Sequence, residues 1–97
     1  MDSILEIHYR AELANAHYQK GRLLVKLERF EEAVKWYEKA IDIFEDDKYY
    51  YAIGLVLNKM CSDEEALVNL DKAIKRITSK LNDVKVDCED INYLWKE

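Results

Sequence analysis

The chain reads as an all-α protein, and three observations predict that class. It contains no proline and only two glycines, Gly21 and Gly54, whereas an all-β fold needs a breaker-rich turn every ~8–12 residues. Apolar residues recur every three or four positions from Ile4 to Leu81, the period of a helix that buries one face. Ninety-seven residues suffice for one domain with a modest core, not for two.

The elements follow in order. Ser3 and Glu6 have capping-box spacing, so a first helix starts there. Nothing interrupts it before Glu28-Arg29-Phe30, giving about 24 residues, or ~36 Å. A second helix then sets Phe30, Ala33, Val34, Tyr37, Ala40, Ile41 and Phe44 on one stripe. Glu45-Asp46-Asp47 breaks the pattern, and a third helix carries Tyr50, Ile53, Gly54, Leu57 and Met60 on its apolar face. Ser62 and Glu65 offer a second capping box. The fourth helix that follows bears Ala66, Leu67, Leu70, Ala73, Ile74, Ile77 and Leu81. Asn82 to Val86 reads as a loop, and Asp87 opens a short last helix with Ile91, Leu94 and Trp95 on its apolar side.

An internal repeat organises these helices. A shift of 33 lays Tyr18 on Tyr51, Gly21 on Gly54, Leu24 on Leu57 and Lys26 on Lys59. It also lays Glu31-Glu32-Ala33 on Glu64-Glu65-Ala66, and Lys39-Ala40-Ile41 on Lys72-Ala73-Ile74. Two unrelated amphipathic helices would not keep a glycine, an EEA and a KAI in one register. The chain is a tandem of two helical hairpins.

Those residues resemble the tetratricopeptide repeat (TPR) family. Its pattern is matched in a first unit by Gly21, Leu24, Phe30, Ala33, Tyr37 and Ala40. A second unit matches it with Tyr50, Ile53, Gly54, Leu57, Ala66, Leu70 and Ala73. Small residues let the helices approach and large ones fill the gaps. The resemblance implies a right-handed α-solenoid of two antiparallel hairpins, with an extended first helix and a short capping helix at the C-terminus. The corresponding division is an N-terminal extension (1–13), repeat 1 (14–46), repeat 2 (47–80), and a linker with the capping helix (81–97). Lys20, His17 and Asp63 depart from the family's apolar or aromatic preferences. Glu45 and Thr78 stand where it places a repeat-ending proline, which predicts helices that run past their usual stop.

Composition and motifs argue against catalysis. With glycines 33 positions apart, no glycine-rich phosphate loop can be written. His8 and His17 fall on opposite sides of a helix and cannot share a metal, so His17 reads as a packing residue. Cys61 and Cys88 form no CxxC, have no histidine nearby in sequence, and read as small fillers. The pairs Glu31-Glu32 and Glu64-Glu65 suit the positive ends of their helices. No enzyme, metal or cofactor is expected. A net charge of −5, spread over both halves, disfavours nucleic acid. No apolar run is long enough to span a bilayer, and Glu6 and Arg10 interrupt the only apolar stretch near the N-terminus. A soluble, cytoplasmic protein is the expectation.

Binding is the function the resemblance implies: a protein-interaction module, an adaptor- or co-chaperone-like scaffold, with a partner in the groove of the first helices. Transferred residue by residue, the lining is Asn15, Tyr18, Gln19, Arg22, Val25 and Lys26 from the first unit. The second unit supplies Lys48, Tyr51, Ala52, Leu55, Asn58 and Lys59. Spacing supports a common face: Tyr18, Arg22 and Val25, like Tyr51, Leu55 and Asn58, fall at i, i+4 and i+7. Arginine, lysines and tyrosines suit an acidic peptide. Tyr18, Arg22 and Ala52 depart from the subset that clamps chaperone C-termini. The alternative function is a structural subunit that self-associates, as a homodimer or larger assembly, through its extended N-terminal and C-terminal helices. A three-helix trafficking bundle is disfavoured by the second EEA…KAI hairpin.

Two repeats are fewer than a stable array usually has. The favoured resolution is that Ile4, Leu5 and Tyr9 of the long first helix, with Ile91, Leu94 and Trp95 of the last, complete the core. Trp36 has two open readings, packing on the N-terminal extension or facing a partner.

Overall fold

The computed structural model describes residues 3–84. Four helices follow one another: α1 (Ile4–Lys26), α2 (Phe30–Ile43), α3 (Asp47–Lys59) and α4 (Asp63–Asp83). α1 packs on α2 and α3 on α4, and α2 against α3 joins the two hairpins. This is the all-α hairpin tandem that the repeat predicts. The last helix, with Cys88, Ile91, Leu94 and Trp95, falls outside the described residues.

Local chemistry explains the boundaries. The Ser3 hydroxyl accepts the Glu6 N–H at 3.1 Å and starts α1. Asp46 does the same for α3, accepting from the Lys48 N–H at 3.0 Å. The second capping box does not form. Ser62 has φ −95 and ψ 64, outside the extended backbone that aims a capping hydroxyl, and makes no side-chain cap bond. Arg29, its equivalent before α2, has nearly the same backbone (φ −96, ψ 68).

The two hairpin turns repeat each other atom by atom. Glu28 (φ 60) and Cys61 (φ 62), 33 positions apart, both adopt the left-handed conformation that usually falls to glycine. The Arg29 N–H then donates to the Leu24 carbonyl, and the Ser62 N–H to the Leu57 carbonyl, each at 2.9 Å.

The missing prolines have unequal effects. α4 does run on past Thr78, to Asp83, and shortens the expected loop by two residues. α2 stops at Ile43, because Phe44 turns extended (φ −156, ψ 108) and swings the chain towards α3.

The core lies around α3. Leu24, Ala33, Tyr37, Ala52, Ile53, Val56, Leu57 and Ala66 form one cluster. A second, smaller cluster consists of Ala14, Ala40 and Tyr49. Tyr49, not the expected Tyr50, is the buried ring, at 2% exposure. Tyr50 sits half-buried and donates its hydroxyl proton to Glu45.

Two further expectations are corrected. Ile4, Leu5 and Tyr9 remain 88%, 62% and 62% exposed and complete no core among the described residues. The cause is length: α2 has 14 residues against 23 in α1, so the first turns of α1 project beyond it. Of the expected apolar stripe on α4, only Ala66 and Ala73 are buried, while Leu67, Ile74, Ile77 and Leu81 are exposed. Trp36 packs on repeat 1 itself, not on the extension. Its ring stacks on His17 at 5.0 Å, with the Lys20 and Lys39 ammonium groups 3.8 and 4.6 Å from its centroid.

Candidate functional site

The first helices of the two hairpins, α1 and α3, enclose a cavity of about 280 Å³. α1 contributes Tyr18, Arg22, Val25 and Lys26, and α3 contributes Tyr51, Ala52, Leu55, Val56 and Lys59. Tyr37 of α2 reaches it from below. Eight of the twelve residues expected to line a groove are therefore brought together. Asn15, Gln19, Lys48 and Asn58 are not in its wall. Ala52, expected as lining, is a buried floor residue at 9% exposure.

Glycine sets the depth. A Cβ on Gly21 would stand 2.5 Å from Tyr37 Cε1 and 2.7 Å from Cδ1, so only glycine lets the Tyr37 ring lie against α1. That ring is 3% exposed, and burial pushes its hydroxyl pKa upward. In the sequence Tyr37 belongs to the apolar stripe of α2 and Val56 gives no signal. Their second role emerges only when α3 packs beside α1.

Aromatic stacking builds the wall at one end. The Tyr18 ring is 5.5 Å from Tyr37 and 5.3 Å from Tyr49. The Arg22 guanidinium lies 5.8 Å over Tyr18, and the Lys48 ammonium 5.3 Å over the same ring. Gln19 accepts from Arg22 Nη1 at 3.3 Å and helps fix its direction. Lys48 thus stands beside the cavity, although outside its wall.

The electrostatics are one-sided. Arg22, Lys26 and Lys59 line the cavity, and among the described residues no carboxylate does, in a chain of net charge −5. Two carboxylates, Glu45 and Asp47, are engaged by bases of α4. Arg76 Nε meets Asp47 at 2.7 Å, Arg76 Nη1 meets Glu45 at 3.0 Å, and Lys80 meets Asp47 at 2.6 Å. Hydrogen bonding from Lys80, then from Arg76, holds the Asp47 carboxyl below the usual carboxylate range. The Tyr50 hydroxyl and Arg76 do the same for Glu45.

Among the described residues, no group of three or more His, Cys, Asp or Glu is placed to hold a metal ion. None of the described helices is long and apolar enough to cross a membrane.

Residues 14–47 match the family model of the tetratricopeptide repeat. The chain carries a tetratricopeptide repeat. The match spans α1 from residue 14 on, α2 and the linker to α3, ending one residue beyond the boundary expected for repeat 1. The second hairpin lies outside the match, yet it repeats the first hairpin's turn geometry at Cys61 and its helix-contact glycine at Gly54. No curated protein and no solved structure matches the chain significantly. TPR units generally mediate protein–protein interaction and are typically non-enzymatic.

Proposed function

We propose that the protein is a non-enzymatic interaction module whose α1–α3 groove takes an acidic peptide segment of a protein partner. One observation carries this reading: a groove lined, among the described residues, by three cations and no carboxylate, within an acidic chain. The partner residues that fit are Asp or Glu beside an apolar side chain. Carboxylates meet Arg22, Lys26 and Lys59 at the edges, while the apolar group enters between Tyr18, Val25, Tyr51 and Leu55. Tyrosine provides contact area with few rotatable bonds to freeze. The overall negative charge argues for a protein partner over a nucleic acid.

The test is selection from a random peptide library. Enriched peptides are expected to combine acidic and apolar residues, and to lose at least ~10-fold in affinity for an Arg22→Glu/Lys59→Glu variant. Peptides without acidic residues, or binding unaffected by the double substitution, would refute the groove.

A further inference from the structure

Three of the residues that line the α1–α3 cavity are buried, Tyr37, Ala52 and Val56, and they form its floor. Tyr37 alone among these three has a polar side chain. A buried hydroxyl ordinarily finds a partner within the protein. The Tyr37 hydroxyl hydrogen-bonds to no described residue, although the side chain is only 3% exposed. It is not sealed in either, so what remains exposed of it opens into the cavity that Tyr37 lines.

The glycine contact fixes where that oxygen lies. Cζ, the ring atom that carries it, is 3.2 Å from the place of a Gly21 Cβ, so the hydroxyl emerges beside residue 21 of α1. Arg22 is the next residue and stands in the same cavity wall. Its Nη1 donates to Gln19, and no carboxylate among the described residues holds it. Burial pushes the Tyr37 hydroxyl pKa upward, with Tyr18 adding to the rise and Arg22 opposing it. The proton therefore stays on the oxygen at neutral pH, and the floor offers a donor beside a guanidinium.

A carboxylate satisfies both groups at once, whereas a backbone carbonyl would use the hydroxyl and leave the guanidinium charge unmatched. Val25 and Leu55 stand in the walls, so the entering side chain needs an apolar stem as well as a charged tip. Glutamate has both, and aspartate is one methylene shorter. We propose that the floor of the groove is a subsite for one glutamate side chain of the partner, whose carboxylate accepts from the Tyr37 hydroxyl and the Arg22 guanidinium. This rests on the groove reading and turns one of its edge contacts inward. The two parts of Tyr37 then have separate tasks: the ring packs α2 against Gly21, and the hydroxyl reads the partner.

Tyr37→Phe in the full chain separates those tasks, because it keeps the ring and removes only the oxygen. The probe is an acidic peptide selected on the wild-type chain from a random library, followed by calorimetric titration. The variant is expected to bind it about 10-fold more weakly. Its melting temperature is expected to equal or exceed that of wild type, since an unpartnered hydroxyl adds nothing to the free fold. Against a peptide in which the anchoring glutamate is alanine, wild type and Tyr37→Phe are expected to bind equally. Aspartate at that position is expected to weaken binding to wild type. Undiminished affinity of Tyr37→Phe, while Arg22→Glu/Lys59→Glu abolishes binding, would overturn the subsite and leave the groove standing. Selected peptides that are acidic only through aspartate would do the same. A loss of affinity that accompanies a lower melting temperature, and is equal for the alanine peptide, would mark a structural role and overturn it too. If no acidic peptide is selected, or binding ignores Arg22→Glu/Lys59→Glu, the groove itself falls and the subsite with it.

Discussion

The two hairpins use the same small-residue contact, yet what lies over the glycine differs. Over Gly21 is the ring of Tyr37, fixed from both sides at the centre of the molecule. Over Gly54 is Leu70, at 2.7 Å from where a Cβ would stand, on the half-open flank of α4. The Tyr37 ring is buried, whereas Leu70 is only half-buried, with the Ala66 carbonyl oxygen 3.3 Å from the same Cβ position. Equivalent residues in a repeat therefore carry unequal energy, because packing from outside the repeat decides how rigid each contact is. The same contrast separates α3, which buries Tyr49, Ala52, Ile53, Val56 and Leu57, from α4, which buries only Ala66 and Ala73.

The largest test of this contrast lies at the joint between the hairpins. Tyr49→Ala removes a 2% exposed ring that packs on Tyr18 and near Ala14 and Ala40, and is expected to cost about 3–5 kcal/mol in urea unfolding. Next come the glycines. Gly21→Ala drives a methyl into the Tyr37 ring and should cost ~1–3 kcal/mol, even after the gain in helix propensity. Gly54→Ala meets Leu70 Cδ2 and Cγ at 2.7 Å and the Ala66 carbonyl oxygen at 3.3 Å, on the half-exposed flank of α4, and is expected to cost less than Gly21→Ala. Equal losses at both sites would erase the distinction between the hairpins.

A smaller effect comes from the charge network of the second hairpin, which the first lacks at the equivalent place. Asp47 is held below its ordinary pKa, so its contribution is present above the unfolded value of about 4 and is lost as pH falls through the folded value. Asp47→Asn is expected to lower stability by about 1 kcal/mol near pH 7, the pair being partly open to solvent on the Lys80 side. The gap to wild type should close as pH falls through the folded value, which urea titrations across pH would show. An undiminished gap in acid would contradict the assignment. Smallest are the turns. Glu28→Gly and Cys61→Gly relieve the same left-handed strain, and each should gain up to ~1 kcal/mol by the same measurement.

Much of the fold was legible in the sequence because its signals were periodic. The 33-residue shift that aligns Gly21 with Gly54 also predicts the pairing of helices; the groove residues come from the family resemblance, and eight of the twelve share one cavity. What escaped notice has particular causes. Tyr49 was hidden in the run Tyr49-Tyr50-Tyr51, where periodicity cannot say which ring turns inward; the entry angle of α3, set by extended Phe44, decides it. The hairpin turns gave no glycine signal, because Glu28 and Cys61 accept a conformation that residue preference disfavours. Tyr37 and Val56 line the groove only through the packing between hairpins, which no local pattern encodes. The apolar residues of α1's first turns and of α4 read as core from their spacing, but spacing does not reveal whether a neighbour is present to cover them.

The central claim is that α1 and α3 together form one acidic-peptide groove. The most direct measurement is an amide chemical-shift titration of the full chain with a library-selected acidic peptide. The expected result is that the largest changes fall on Tyr18, Arg22, Val25, Tyr51, Leu55 and Lys59, on both helices at once and with one affinity. Changes confined to α4, or to one of the two helices, would contradict it.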